Sequence, residues 1–122
     1  MSVATDTLDV MSAQSLIALT LFVSDVDASA DFYRAIGCDV FECAEPGHPR
    51  HFDAATRNTV IQLFPAGDHN PASHNQIGIR VTRMEDASRA LDDIGAGWTS
   101  PGPKRLSAKD PDGNVVQITE EH

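Results

Sequence analysis

The chain has 122 residues, 41% of them hydrophobic and 22% charged, which fits one ordinary globular domain and excludes a disordered or collagen-like chain. Its formal charge of −9 disfavours nucleic acid and anionic membrane surfaces as partners, because both would be repelled. The same charge would attract a cationic small molecule, although an acidic surface can also serve solubility alone.

Two features bear on the cellular compartment. The longest apolar run, "LIALTLFV", is too short to span a bilayer, and no basic segment precedes it as in a secretory leader. Cys38 and Cys43 lie in one extended stretch, about 16 Å apart and on opposite faces, so they cannot form a disulfide within that strand. The sequence therefore predicts a reduced, cytoplasmic protein without a membrane partner.

The first predicted elements follow a tail of 14 residues that has no periodicity. "SLIALTLFV" alternates as a strand, and the next segment has helical spacing, with Ser24 or Asp25 as its cap and Gly37 at its end. "CDVFECA" predicts a strand, "EPGHP" a turn, and "RHFDAAT" with "NTVIQLF" a hairpin closed at Arg57 and Asn58. The order is one strand, one helix and three strands.

After a polar connector at residues 66 to 74, the same order recurs. "QIGIRV" alternates as a strand, and Thr82 with Glu85 predicts a capping box that opens a helix ended by Gly95. "WTS", "RLSAK" and "NVVQIT" predict three strands, and the last two are joined by a type I turn at "DPDG".

An internal repeat is also visible residue by residue. Val23 matches Val81 and Gly37 matches Gly95 at an offset of 58, while "VIQLF" matches "VVQIT" at an offset of 55. We therefore expect one domain over residues 15–122, with module one at 15–65 and module two at 75–121.

The strand faces indicate how the modules are used. One face of the four repeat-defining strands is wholly aliphatic, whereas the other mixes amides, aromatics, a glycine and an arginine. This contrast predicts an α+β fold of two tandem βαβββ modules, forming a curved mixed sheet with the helices outside and a cleft inside. The alternative is that the mixed face is simply solvated.

Four segments carry a family resemblance: "LFVSDVDASADFYRAIG", "VIQLF", "IGIRVTRMEDASRALDDIG" and "DPDGNVVQI". In this order and with the repeat, the sequence resembles the vicinal oxygen chelate superfamily, which includes glyoxalase I, extradiol dioxygenases and bleomycin-resistance proteins. The resemblance implies two βαβββ modules that form a cleft. It also implies a homodimer, since paired chains of such small proteins commonly contribute one module each to a shared cleft.

The resemblance also implies four metal-ligand positions, which metal-dependent members fill with His and Glu. Carried over strand by strand, they are Ala18, Gln62, Gln76 and Gln117. Three neutral amides and a methyl group would leave the charge of a divalent ion uncompensated, and amides cannot take a proton near neutral pH. We therefore expect no bound metal, no cofactor and no catalytic residue at these positions, which we call the inherited positions.

The same face can instead hold an organic ligand. The glutamines offer hydrogen bonds, Phe22 and Phe64 offer stacking surface, and Thr20 and Ala18 complete the predicted floor. Arg80 could anchor a ligand anion, although a surface ion pair is an equal alternative. The amides could also satisfy one another across an interface.

The histidines are expected mainly in exposed loops. His48 and His51 form an HxxH pattern in a Gly/Pro turn, and His69 and His74 lie in the connector, where His74 shares strand parity with Gln76. If the strand phase puts His51 and Asp53 on the inner face, they would form an orienter and base pair. Trp98 is expected in a core or interface.

These observations favour a metal-free protein that binds a small organic molecule, of which a cationic antibiotic is one candidate, and that sequesters a drug or metabolite. One alternative is a metal-dependent lyase, isomerase or dioxygenase with a displaced site that includes His51 or His74. A second is a dimeric structural or regulatory module without a ligand.

Overall fold

The computed structural model describes residues 12–121, so the predicted tail over residues 1–14 lies mostly outside the described part. Module one contains β1, α1, β2, β3 and β4, at Ala18–Val23, Val26–Ala35, Asp39–Cys43, His51–Ala55 and Val60–Pro65. Module two contains β5, α2, β6, β7 and β8, at Gln76–Val81, Met84–Asp93, Trp98–Gly102, Arg105–Lys109 and Val115–Glu120. The predicted α+β fold and the two βαβββ modules are confirmed.

Each module has its own four-stranded mixed sheet. The strand orders are β1-β4-β3-β2 and β5-β8-β7-β6, and in each sheet the first pair is parallel and the others are antiparallel. Thr20 lies opposite Gln62 in one sheet and Gly78 lies opposite Gln117 in the other. The registers therefore follow the sequence offsets of 58 and 55.

The aliphatic strand face forms the core beneath the helices. Leu21, Leu63, Val116 and Ile118 are fully buried, and they belong to a cluster that includes Phe32, Tyr33 and Leu91 of the helices. Leu19, Ile79 and Val81 of the edge strands β1 and β5 are only partly buried and pack against this cluster. The opposite face of each sheet points away from its helix, and we call it the inner face.

The helix ends agree with the sequence in three places and differ in one. Asp25 caps α1 through a 3.1 Å bond from the backbone N–H of Ala28, and Gly37 and Gly95 have φ angles of +107° and +72° beyond the helix ends. The predicted capping box of α2 is wrong, because the N-cap is Arg83 and Thr82 lies one position too early. The Met84 N–H donates instead to Glu120 Oε1 at 3.1 Å, from the distant strand β8.

This difference gives a test of the two helix starts. The substitution Asp25→Ala should lower the free energy of unfolding by about 1 kcal/mol, because it removes a side-chain cap. Thr82→Ala should change it by less than about 0.5 kcal/mol, since Thr82 is exposed and makes no cap bond. Urea denaturation measures both values. Equal losses in the two variants would contradict the observed caps.

The modules are joined by a buried hydrogen-bond cluster. Tyr33 Oη donates to Asp110 Oδ2 at 2.7 Å, and Asp110, only 4% exposed, also accepts from Asn114 and from the Asp112 N–H. Burial, together with the charge of Asp110, raises the pKa of Tyr33 well above its ordinary value. The predicted "DPDG" turn is confirmed by the bond from Gly113 N–H to Asp110 O at 2.9 Å, so this turn also anchors module one.

Between elements of different modules, the main contact is the packing of α1 against α2. The two inner faces are therefore not stacked on each other within one chain, and Thr20, Gln76 and Arg80 are exposed. Neither described helix is long and apolar enough to cross a membrane.

Candidate functional site

Strand register places four rows of side chains on the inner face of module one. One row across the sheet consists of Thr20 on β1, Gln62 on β4, Asp53 on β3 and Phe41 on β2. Because side chains alternate along a strand, every second residue from this row points to the same face of the sheet. Some of the residues on this face were predicted as site residues and others were not. The face contains Ala18, Thr20, Phe22, Val60, Gln62, Phe64, His51, Asp53, Phe41 and Cys43.

The predicted ligand-binding residues of module one come together. The Thr20 hydroxyl donates to Gln62 Oε1 at 2.8 Å, and Phe22 lies opposite Phe64 in the parallel pair. The connector is tied to the same end of β1, since Ser73 accepts from the Phe22 N–H at 2.9 Å and returns a bond to its carbonyl at 2.7 Å. This part of the inner face is a half-buried surface with two aromatic rings.

The predicted residues of module two form a more open surface. Gln76, Gly78 and Arg80 are exposed on β5, and Gln117 on β8 is half-buried. Within residues 12–121, Arg80 forms no ion pair, so its charge is available on the inner face.

A cluster of Cys43, His51 and Asp53 lies on the inner face of module one. One ligand atom from each side chain lies within 4.8 Å of the other two. His51 and Asp53 therefore both lie on the inner face, which is the condition that the sequence analysis set for an orienter and base pair. Sequence reasoning missed Cys43, although the hairpin pairing of "FEC" with "HFD" would have placed it opposite His51.

The His51 ring is held on two sides. It stacks on Phe64 with ring centres 4.0 Å apart and planes 11° apart, and its Nδ1 lies 3.2 Å from the Pro49 carbonyl. Its Nε2 lies 3.9 Å from Asp53 Oδ1, which is too long for a hydrogen bond. Among the described residues, Asp53 Oδ1 is a buried oxygen without a hydrogen-bond partner.

Cys43 is a poor candidate for an activated nucleophile. Burial raises the pKa of its thiol, and the negative charge of Asp53 raises it further, so the thiol form is favoured near neutral pH. Cys38 is buried on the helix side and its pKa is raised to about 11, so it is inert as well. Both cysteines are free, as their spacing in one strand predicts.

The remaining predicted candidates lie elsewhere. His48 and His74 are exposed in loops. Trp98 lies on the helix side of its sheet, where its Nε1–H donates to Asp92 at 2.9 Å. A groove of about 850 Å³ also lies on the helix side, between the modules, where its lining includes Leu19, Ile77 and Ile79.

The chain matches a family model over most of its length. The family model described as Glyoxalase/Bleomycin resistance protein/Dioxygenase superfamily matches residues 15–118. The chain belongs to this superfamily. A search of the curated proteins finds no match.

Several solved structures have the same fold as the chain. TnmS3, an antibiotic binding protein from Streptomyces sp. CB03234, is 22% identical with a TM-score of 0.71, over 92% of this chain and 99% of that one. A glyoxalase/bleomycin resistance protein from the same organism is 25% identical with a TM-score of 0.69, over 87% and 100%. A lactoylglutathione lyase from Agrobacterium tumefaciens is 18% identical with a TM-score of 0.62, over 90% and 96%.

The glyoxalase-type metal implied by the superfamily does not fit the inherited positions. Ala18 offers only a methyl group, and Oε1 of Gln62 is a neutral oxygen that already accepts a hydrogen bond from Thr20. Gln76 and Gln117 are neutral amides on the other sheet. The four side chains supply no anionic or imidazole ligand, so they cannot balance a divalent charge.

Proposed function

We propose that this superfamily member binds a small organic molecule on the inner faces of its modules, without a metal at the inherited positions, and sequesters a drug or metabolite. The observation that carries this proposal is the surface formed by the Thr20–Gln62 hydrogen bond and the Phe22–Phe64 pair. It combines polar groups of neutral charge with aromatic area, which suits a planar or amide-containing ligand.

A complete cleft in this proposal needs two chains. The inner faces of one chain are open, and the large apolar side chain of Phe41 on the inner face of module one is 59% exposed. Pairing module one of one protomer with module two of its partner would cover such surface and bring Arg80 and Gln117 opposite Gln62. We therefore propose a homodimer, which light scattering of the purified chain tests directly.

The charge and the fold relatives support the ligand class. TnmS3 is described as an antibiotic binding protein, and its fold likeness extends over 92% of this chain. A formal charge of −9 favours cationic compounds over anionic ones during the approach to the cleft. We propose that cationic antibiotics and related metabolites are the compounds to test first.

Thermal unfolding in the presence of a panel of cationic drugs and metabolites tests this function. A ligand present at 100 times its dissociation constant should stabilise the chain by about 2.7 kcal/mol. For the best compound, Gln62→Leu and Gln117→Leu should weaken binding by about tenfold, because each leaves a polar ligand group unpaired. Arg89→Ala, on the outer face of α2, is the control and should bind normally.

Failure across a broad panel would overturn the binding proposal and favour a dimeric structural module. Binding that is insensitive to both glutamine substitutions would place the ligand away from the inner faces.

A second candidate function rests on one specific observation. Cys43, His51 and Asp53 lie together beside Gln62 on the inner face, which favours a metal-dependent lyase, isomerase or dioxygenase with a displaced site. Turnover that is lost on His51→Gln but kept on His74→Gln would support this candidate over simple sequestration.

A further inference from the structure

We propose that Cys43, His51 and Asp53 form a binding site for a Zn²⁺ ion on the inner face of module one. The site is separate from the inherited positions, and the inference does not depend on the small-molecule function proposed above. It rests on the arrangement of ligand atoms, the orientation of the His51 ring and the unpaired oxygen of Asp53.

The three ligand atoms are already close to the spacing of a tetrahedral zinc site. They lie within 4.8 Å of one another, with Nε2 and Oδ1 3.9 Å apart. Zinc bonds of 2.0–2.3 Å at tetrahedral angles place neighbouring ligands about 3.3–3.7 Å apart. Side-chain movements of about 1 Å or less would therefore bring the atoms into coordination. The backbone needs no change, since adjacent strands β2 and β3 hold all three residues.

The His51 ring is oriented as a metal ligand would be. When Nδ1–H donates to the Pro49 carbonyl at 3.2 Å, Nε2 has a free lone pair directed toward Asp53 and Cys43. Zinc-binding histidines commonly donate their other N–H to a backbone carbonyl in this way. Stacking on Phe64 further restricts rotation of the ring.

Asp53 supplies the strongest indication that a cation belongs here. Its Oδ1 is buried and, within the described residues, has no hydrogen-bond donor. The His51 Nε2 opposite it is an acceptor in the same tautomer, so two lone pairs face each other at 3.9 Å. Such an arrangement is unfavourable unless a positive ion or a proton lies between the two atoms.

The composition of the cluster favours zinc over Mg²⁺ and Ca²⁺. A thiolate ligand disfavours Mg²⁺ and Ca²⁺, whereas Zn²⁺ accepts sulfur, imidazole and carboxylate together. When bound, the thiolate and the carboxylate would neutralise the two positive charges. Three protein ligands leave a fourth position open, and this position would face the surface that contains Gln62.

Zinc titration of the untagged full-length chain tests the proposal. After treatment with a chelator and a thiol reductant, Zn²⁺ competition against a chromophoric chelator should give one equivalent per chain. Co²⁺ in place of zinc should give a thiolate-to-cobalt charge-transfer band. Loss of a residue that only hydrogen-bonds to a metal ligand typically weakens metal binding about 10- to 100-fold. Loss of a direct ligand should cost at least as much, so we expect at least this weakening of zinc binding in each of Cys43→Ser, His51→Gln and Asp53→Asn.

The matched controls are His48→Gln, which removes the other histidine near the turn, and His74→Gln in the connector. Both should bind zinc as the parent does. Asp53→Asn keeps the shape of the side chain, and circular dichroism of each variant verifies folding. Absence of stoichiometric zinc would overturn the proposal, as would zinc binding that survives both Cys43→Ser and Asp53→Asn.

Discussion

Replacing Asp110 by alanine should lower the free energy of unfolding by about 3 kcal/mol or more, the largest single-residue effect that we expect. The side chain is 4% exposed and accepts from Tyr33 Oη, from Asn114 through N–H and Nδ2, and from the Asp112 N–H. Each buried donor left unpaired costs about 1–3 kcal/mol. Urea denaturation at one fixed protein concentration measures the loss, since a dimer would make stability depend on concentration.

A graded pair of variants provides the control. Tyr33→Phe removes one of these bonds and should cost about 1–2 kcal/mol, while loss of an exposed hydroxyl in Thr82→Ala should cost less than about 0.5 kcal/mol. If Asp110→Ala and Tyr33→Phe were equally mild, the cluster would not be what joins the modules.

The second large effect should come from restoring ligands at the inherited positions. We compare a variant with all four changes, Ala18→His, Gln62→Glu, Gln76→His and Gln117→Glu, with two half-variants. One half-variant has only the two changes in module one and the other only the two in module two. The variant with four changes should bind a divalent metal about 100-fold more tightly than either half-variant. The reason is that each half supplies two ligands on one sheet, whereas the proposed two-chain cleft combines four. Isothermal titration in a Cys43→Ser background measures this site alone.

The half-variants are the internal control of that experiment. If the pair on module one bound metal as tightly as all four changes together, the two inner faces would not converge, and the shared cleft would be wrong. Light scattering of the metal-bound variant would show whether two chains take part.

The sequence predicted the modules because their signals are local and repeated. Alternation over residues 76 to 81 and 115 to 119 identifies strands, and the offsets between repeats identify which strands of the two modules are equivalent. Gly37 and Gly95 were found as helix ends because positive φ angles require glycine there. The placement of Gln62 and Gln117 on the inner faces followed from strand parity alone.

The features that the sequence did not predict depend on contacts between distant residues. The cap of α2 comes from Glu120, which is 36 residues away from Met84, so a local capping box was inferred wrongly. The Tyr33–Asp110 bond spans 77 residues and has no periodic signal. Cys43 lies beside His51 and Asp53 only because of the register between β2 and β3. That register depends on the length of the turn between the two strands, which the local sequence pattern does not fix.

The hydrogen bond between Thr20 and Gln62 has a consequence for chemical selectivity. Because Oε1 of Gln62 already uses one of its two lone pairs for the Thr20 hydroxyl at 2.8 Å, the least committed group of this amide is its Nε2, with two N–H donors. A compound bound there is therefore favoured when it presents carbonyl, ether or other acceptor oxygens to the amide. The positive charge of a cationic drug would then be balanced by a carboxylate such as Asp53, which lies beside Gln62 on the same face, while its oxygens accept from the amide.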